Sequence, residues 1–532
     1  MSWQWAAAFT LVPILLLFVF AALIEHGGAR GAAHRPLRDR RLRHAAYTLA
    51  LGVYCSSWTF YGAVGSVVRD GWDYLPIYVA PILLLLLAPR FLGRLARAVA
   101  EEQAKTVSDF IAARFGHDVI VARLVTVIAL LGTIPYVALQ LRSIGNALAL
   151  VSGAPLAVPA MVAAAGVLAL FAILFGARRF ELAGRSEGLV FAIGVESALK
   201  LGAMVAVAGL AAVLFAAAAP ARQAAGLAQI AERFDPTHLS LQTLVIGVIS
   251  ALAIVALPRQ FYMGLVEARE PEDLVRARRG LAAYIGAMAV LALPIALAGA
   301  ALFEGAVPPD VFVLDLPLEA GQHWALVAAL LGGVGAAASM TIVDATALAT
   351  MVSNDLVFPS ILRNASAGAG HRQGAGAIGR AMLEVRRISI IIIVGLALAW
   401  AVLVGSGNSL ASIGYVAFAA MALFAPHLLL AAGRGGRDPL PARVSLAAGL
   451  ALWLYPLALL PILPEAWLAA LRGTLADPLN LLGIGTAGPL VHGVGWSLGV
   501  DVALLGLFAA RGRAGAPLPR LFAPGRPVSD VA

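Results

Sequence analysis

Long apolar stretches without charge recur along the whole chain, and they limit its fold more strongly than any other feature. Each is long enough to cross about 30 Å of hydrocarbon as a helix and longer than a membrane barrel needs for a strand. We count thirteen of them, near residues 5–25, 45–66, 74–92, 122–150, 155–176, 187–217, 242–266, 281–304, 322–356, 387–405, 409–431, 444–462 and 489–510. The sequence therefore predicts an all-α integral membrane protein of about thirteen transmembrane helices.

The composition agrees with a membrane protein and argues against a water-soluble fold. Hydrophobic residues make up 61% of the 532 residues and charged residues 13%, which is more apolar surface than a water-soluble fold can bury. The net charge of +9 comes from basic residues between the spans, so we expect no nucleic-acid partner. Cys55 is the only cysteine, which excludes an internal disulfide. The segments between spans carry no phosphate-binding glycine loop and no zinc-type histidine pair, so we expect neither an enzyme nor a resident cofactor.

The basic residues predict how the helices are oriented. The first apolar run has no basic residue before it and six arginines after it, the reverse of a secretory signal, so we interpret it as an uncleaved span. With the N-terminus outside, 31 of the 38 Lys and Arg residues fall in the segments facing the cytoplasm, as the positive-inside rule requires. Those segments are 26–44, 90–123, 177–186, 267–280, 357–387, 432–443 and the tail from 511. We therefore predict a multi-pass protein of a bacterial-type inner (plasma) membrane, with the C-terminus in the cytoplasm.

Polar residues interrupt the second span at a depth where lipid makes them costly. Cys55, Ser56, Ser57, Trp58 and Thr59 follow one another in what is otherwise an apolar helix. A break here would free backbone carbonyls for a cation and hydroxyls for a solute. A continuous helix rich in serine and glycine, packed closely on its neighbours, is the other interpretation.

The ninth span carries a carboxylate at membrane depth. Asp344 follows Met340 by four residues, so the two side chains share one helix face, and Ser339 and Thr341 lie close by in the sequence. Asp344 either has a functional role or pairs with an arginine of another helix.

Three other spans carry polar groups. Glu196 and Lys200 are four residues apart in the sixth span, in the order that favours an ion pair along one helix. Tyr136 and Gln140 share one face of the fourth span. In the seventh span Pro258 is followed by Arg259 and Gln260, which predicts either a gate or the end of a helix.

Four segments of these spans form a recognisable set: YCSSWTFYGAVGS, YVALQLRSIGNAL, LPRQFYMGLVEARE and SMTIVDATALATMVSNDL. Together they resemble the solute:sodium symporter family, over roughly residues 40–460. The ESALK segment of span six and the LPRQF segment of span seven more narrowly resemble the branch whose membrane half is fused to a sensor histidine kinase, as in histidine-utilisation regulators.

The resemblance implies two inverted five-helix repeats of the broken-helix amino-acid transporter type, with alternating access around a midplane site. The transport core would span residues 45–431, with the first repeat at 45–217 and the second at 242–431. An extra helix and a basic cytoplasmic loop (1–44) would precede it. Two C-terminal helices (432–510) and a disordered cytoplasmic tail (511–532) would follow.

The resemblance also implies a cation site between spans two and nine. Main-chain carbonyls of Gly52 and Cys55 would face Ala336, Ser339 and the residue after Ser339. The family prefers a hydroxyl at that last position, but this chain has Met340, whose thioether is a poor ligand for a hard cation. Sodium and protons therefore both stay open as coupling ions. For protons the candidate is Asp344, because a buried carboxyl group takes up a proton more readily than an exposed one.

For the solute, the resemblance implies Ser56, Ser57 and Trp58 as binding residues, with Tyr136 and Gln140 as further candidates. Hydroxyls, a broken-helix dipole and an aromatic wall suit an amino acid. We therefore predict a secondary active transporter, a symporter, that carries a small polar solute across the lipid bilayer on a sodium or proton gradient. The alternative is a solute-sensing membrane module that signals through a histidine kinase as its cytoplasmic partner.

Overall fold

The computed structural model describes residues 39–176, 186–359, 375–404, 410–433, 438–460, 463–484 and 488–512. Every secondary-structure element assigned within these ranges is a helix. The predicted first span (5–25) and all but the start of the predicted tail lie outside the described residues. In chain order the α-helices are α1 Arg40–Ala50, α2 Ala63–Arg69, α3 Pro76–Leu87, α4 Pro89–Glu101, α5 Val107–Arg114, α6 Val119–Ser152, α7 Ala157–Gly176, α8 Glu187–Ala217, α9 Pro220–Arg233, α10 Leu241–Ala256, α11 Pro258–Phe261, α12 Asp273–Phe303, α13 Phe312–Glu319, α14 His323–Met351, α15 Ala375–Leu403, α16 Leu410–Ala422, α17 Phe424–Ala431, α18 Pro439–Trp453, α19 Glu465–Leu471 and α20 Pro489–Gly512.

Nine helices in the described ranges are long and apolar enough to cross a membrane. Two bent pairs of shorter helices, with bends of 78° and 95°, raise the number to eleven if each pair is one span. The prediction of an all-α membrane protein is thereby confirmed, while the count of thirteen stays a prediction. The nine are Val119–Ser152, Ala157–Leu174, Glu187–Ala217, Asp273–Phe303, His323–Val357, Gly379–Leu403, Ser412–Ala431, Pro439–Ala458 and Pro489–Phe508.

The second predicted span is interrupted halfway. Helix α1 tightens into a 3₁₀ turn at Leu51–Tyr54, and Cys55 then adopts an extended backbone conformation with φ −81° and ψ 95°. The chain resumes as a π-helical turn at Trp58–Gly62 before α2. Ser56 supports the restart, because its hydroxyl accepts a hydrogen bond from the backbone N–H of Trp58 at 3.2 Å, as a helix-capping serine does. Of the two interpretations of this span, the broken helix is the one observed.

The seventh predicted span is broken in the same way. Helix α10 ends at Ala256, and Leu257 is extended with φ −59° and ψ 130°. A residue before proline is pushed out of the helical region, so Pro258 accounts for the break. The chain continues at once through α11 and a π-helical turn at Tyr262–Val266. Pro258 therefore interrupts this span without ending it.

Helix α14 lies at the centre of the bundle, and residues 332–351 within it are all buried. It packs against α6, α7, α8 and α15. Helix α6 packs against α15, just as α14 packs against α7. A two-fold relation between the predicted repeats would exchange α6 with α14 and α7 with α15, so it would turn one of these contacts into the other. The repeat boundaries stay a prediction.

The segment 357–387 is rich in glycine, alanine and arginine and has no hydrophobic period, which predicts a mobile cytoplasmic loop. Residues 360–374 lie outside the described part of the chain, and for the last part of the segment the loop prediction is wrong. Residues 375–387 belong to α15, because from Ala375 onward the glycines thin out and good helix formers such as Met382, Leu383 and Glu384 take over. The segment 90–123, predicted only as inward-facing, contains α4 and α5. Helix α4 forms because its apolar residues recur at helical spacing and bury one face.

Candidate functional site

Hydrogen bonds from Gln140 in α6 hold the break of the second span. The Gln140 side-chain carbonyl accepts hydrogen bonds from the backbone N–H of Ser57 at 3.1 Å and from its hydroxyl at 2.7 Å. The Ser57 hydroxyl also lies 2.9 Å from that of Ser143. Ser56 and Tyr136 share a hydrogen bond of 3.1 Å between their hydroxyls. Four of the five predicted solute residues thus meet through these bonds, all of them buried.

The fifth, Trp58, forms the aromatic side of the same region. Its ring lies edge-on to those of Tyr136, Tyr415 and Phe418, with centroid distances of 6.2, 5.6 and 5.2 Å. Edge-to-face contacts of this kind stabilise packed aromatic rings. Trp58 is buried, and its indole N–H has no hydrogen-bond partner within the described ranges. The indole N–H is therefore a buried donor available to a ligand.

Sequence reasoning missed the role of Arg259, at the break of the seventh span. Its guanidinium is fully buried and lies over the Tyr136 ring, 4.9 Å from the ring centroid. Nη1 donates to Oδ2 of Asp344 at 3.2 Å. Nε and Nη2 have no partner among the residues described. An arginine directly after a proline within an apolar span was the available signal.

Asp344 therefore pairs with an arginine of another helix, one of the two roles open from the sequence. Both partners have 0% of their side chain exposed. The other carboxylate oxygen, Oδ1, lacks a partner in the described part of the chain. The next residue of the seventh span, Gln260, reaches the second span, donating to the Leu51 carbonyl at 3.4 Å. The two breaks thus lie against each other beside α6 and α14.

The residues of the implied cation site have other partners. The Gly52 carbonyl accepts the backbone N–H of Cys55 at 3.0 Å and also the Lys200 ammonium at 3.4 Å. The Ser339 hydroxyl donates to the Ala336 carbonyl of its own helix at 3.3 Å. Met340 is fully buried beside them in sequence.

Glu196 and Lys200 form the ion pair predicted along α8, with 3.4 Å between Oε2 and Nζ. Lys200 has no exposed surface. Its contact with Gly52, 148 residues earlier in the chain, was not predicted.

A surface cavity lies at the end of the molecule predicted to face the cytoplasm. It is lined by the start of α1, the start of α8 and the turn before α12, including Arg40, His44, Glu187 and Asp273. Nearby, a hydrogen bond from Arg276 lowers the pKa of the exposed Glu270 carboxyl. The predicted solute residues do not line this cavity, and each of them is buried, so among the described residues the candidate site is closed to solvent.

The fold is similar to that of a known membrane transporter. A Na+-coupled sialic acid symporter, in a substrate-bound outward-open state, matches with a TM-score of 0.62 and 15% identity over 97% of this chain and 97% of that chain. A manganese transporter of Eremococcus coleocola, in complex with an aromatic bis-isothiourea substituted compound, has a TM-score of 0.45 and 15% identity over 88% of this chain and 93% of that one. No family model and no curated protein matches the sequence. The match shows that this chain shares the fold of the sialic acid symporter.

Proposed function

We propose that this chain is a secondary active transporter for a small solute that carries a carboxylate, in the simplest case an amino acid, driven by a sodium or proton gradient. The observation that carries the proposal is the unpaired edge of the buried Arg259 guanidinium.

The geometry of that edge suits a carboxylate. In the planar guanidinium, the N–H of Nε and one N–H of Nη2 point the same way and match the two oxygens of a carboxylate. Asp344 takes only Nη1 of Arg259, so this pair of donors stays unsatisfied among the described residues. Buried donors without acceptors are costly, and a solute carboxylate would satisfy both.

The surroundings suit the rest of such a solute. Arg259 stacks on Tyr136, whose hydroxyl bonds to Ser56 at the break of the second span. Hydroxyls and freed backbone groups at a broken helix can bind an ammonium group, and Trp58 offers an apolar wall. The transporter fold adds the architecture in which such sites are exposed to one side at a time.

Asp344 fits the role of proton acceptor in this scheme. Its ion pair with Arg259 stabilises the charged carboxylate while the site is empty. A solute carboxylate on the free edge of Arg259 would weaken that attraction and favour proton uptake by Asp344. Solute binding and proton binding would then be linked.

The test is uptake of labelled amino acids and other small carboxylates into proteoliposomes under an imposed sodium or proton gradient. We expect accumulation of at least one carboxylate solute and none of its amide analogue. Saturable binding without accumulation under either gradient would instead favour the alternative of a solute-sensing module. If the protein neither bound nor accumulated any carboxylate, the proposal would be overturned.

Arg259→Lys tests directly whether the unpaired edge of the Arg259 guanidinium binds a carboxylate. Lysine keeps the charge opposite Asp344 but loses the paired donors, so carboxylate affinity should fall about tenfold to a hundredfold. Arg142→Lys is the matched control, because Arg142 is also a buried arginine of the bundle but donates to the Ala401 carbonyl, at 2.9 Å, away from the site. Equal losses in both variants, or none in Arg259→Lys, would argue against a carboxylate at Arg259.

A further inference from the structure

The fully buried ammonium of Lys200 lies where a coupling cation is expected. Its Nζ donates to the Gly52 carbonyl at 3.4 Å, the carbonyl that the break of the second span makes available. The approach is close because Gly52 has no side chain: a Cβ there would come within 3.0 Å of Ser197 and of Tyr284. The break and α8 are therefore packed so that Lys200 reaches the backbone of another span.

An anion accompanies this ammonium. Oε2 of Glu196 lies 3.4 Å from Nζ, and Glu196 is itself buried. Gly335 in α14 leaves room for the carboxylate, since a Cβ there would lie 3.3 Å from Oε1 of Glu196. The pair thus lies between the second span and the part of α14 that carries Ser339 and Met340.

The choice of lysine is informative in this chain. Of its 38 basic residues only Lys105 and Lys200 are lysines, and all the others are arginines. An ammonium is a compact point charge with three donors, whereas a guanidinium is a wide planar group. The compact ammonium therefore suits a position between the Gly52 carbonyl and the Glu196 carboxylate, where a guanidinium would need more room.

We infer that Lys200 is a tethered cation that takes the place of a coupling sodium ion between the second span and α14, so that this chain works without sodium. The Lys200 ammonium and a sodium ion carry the same charge, and two cations at one carbonyl would repel each other strongly at low dielectric. Met340 supplies no hydroxyl to compensate. The inference rests on the proposed transport function and selects protons over sodium as the coupling ion.

The structure indicates what removal of the ammonium would do. Lys200→Ala would leave the Glu196 carboxylate without a countercharge beside the Gly52 carbonyl, which would keep only its hydrogen bond from the Cys55 N–H. Oxygen ligands with a net negative charge favour a hard cation. Lys200→Ala should therefore acquire a sodium site that the natural chain lacks.

The experiment compares sodium chloride with choline chloride at constant ionic strength, using radioactive sodium binding and thermal unfolding of the purified, full-length protein in detergent. The natural chain should bind no sodium saturably and unfold at the same temperature in both salts. Lys200→Ala should bind sodium and unfold at a higher temperature in sodium. Lys200→Ala combined with Glu196→Gln should lose that response, and Lys105→Ala, the only other lysine, should behave as the natural chain does.

The outcomes separate this inference from the proposed function. Saturable sodium binding by the natural chain, or uptake that requires sodium, would overturn the inference and leave transport intact. Absence of all carboxylate binding and uptake, in a chain indifferent to sodium, would instead overturn the proposed function. The measurements on the natural chain decide the matter even if Lys200→Ala does not fold.

Discussion

At the residue scale, Gln140 compensates for the helix hydrogen bonds that the break in the second span removes. Its side-chain oxygen accepts both the N–H and the hydroxyl of Ser57. Within the membrane no water replaces such an acceptor, so the two bonds keep the break stable. Gln140 thus has a structural role in addition to its predicted role in solute binding.

We expect Gln140→Met to destabilise the protein by about 1–3 kcal/mol, because it fills a similar volume but leaves the buried N–H of Ser57 without an acceptor. Thermal unfolding in detergent measures the change. Gln229→Met is the control, since Gln229 is exposed on α9 and should be replaceable without loss. Equal stability of the two variants would show that Gln140 does not hold the break.

The sequence predicted those site residues whose type or spacing is unusual within an apolar span. Ser56, Ser57 and Gln140 stand out because polar side chains at membrane depth are rare. The Glu196 to Lys200 pair follows from their spacing on one helix. The contacts of Arg259 and Lys200 with other spans could not be predicted, because they depend on how helices distant in sequence pack together.

At the scale of single elements, close approach of α14 to the broken second span depends on glycine. A Cβ at Gly333 would lie 1.9 Å from the hydroxyl oxygen of Tyr61, a buried residue of the π-helical turn. Small residues at such crossings let two backbones approach within a membrane. This contact is therefore one of those that fix the position of α14 relative to the break.

Gly333→Ala should lower the unfolding temperature, because overpacking of a close interface costs about 1–3 kcal/mol. Gly202→Ala in α8 is the matched control: both are glycines within long helices, but a Cβ at Gly202 meets nothing within 4 Å. Since alanine favours the helix, Gly202→Ala should be neutral or stabilising. Destabilisation of the same size by both substitutions would contradict the packing argument.

The presence of the long helices was largely predictable from the sequence, but the residues at which helices begin and end were not. Apolar runs of sufficient length predicted the long helices, including the unusually long α8 and α14. Hydropathy carries no information on where a helix continues into water. For this reason the helical start of α15 was predicted as part of a loop, and α4 and α5 were not predicted at all.

At the scale of the whole molecule, the proposed transport by alternating access predicts that contacts at both ends of the bundle close the site. At the end predicted to face outside, Arg69 of α2 forms an ion pair of 2.9 Å with Asp310, and Ser66 beneath it is fully buried. At the opposite end, the Tyr47 hydroxyl donates to the Gly264 carbonyl at 2.8 Å. Transport by alternating access requires that each closure open in turn.

The outer closure should be weak and easily shifted. The side chains of Arg69 and Asp310 are 31% and 21% exposed, and partly exposed ion pairs contribute about 0–1 kcal/mol. Arg69→Ala should therefore raise the population of the outward-open state, and with it the reactivity of a cysteine at Ser66, by up to about fivefold.

The single native cysteine makes this measurable. In a Cys55→Ala background, Ser66→Cys is labelled from outside with a membrane-impermeant maleimide, with and without Arg69→Ala. Ser240→Cys is the control, because Ser240 is exposed at the same predicted end and should react equally fast in both backgrounds. Faster labelling at both positions would indicate general loosening of the fold, and an unchanged rate at Ser66→Cys would mean that Arg69 does not hold the outer side closed. A faster labelling rate at Ser66→Cys alone would instead show that the Arg69–Asp310 ion pair holds the outer side closed, because only the buried position would respond to its loss.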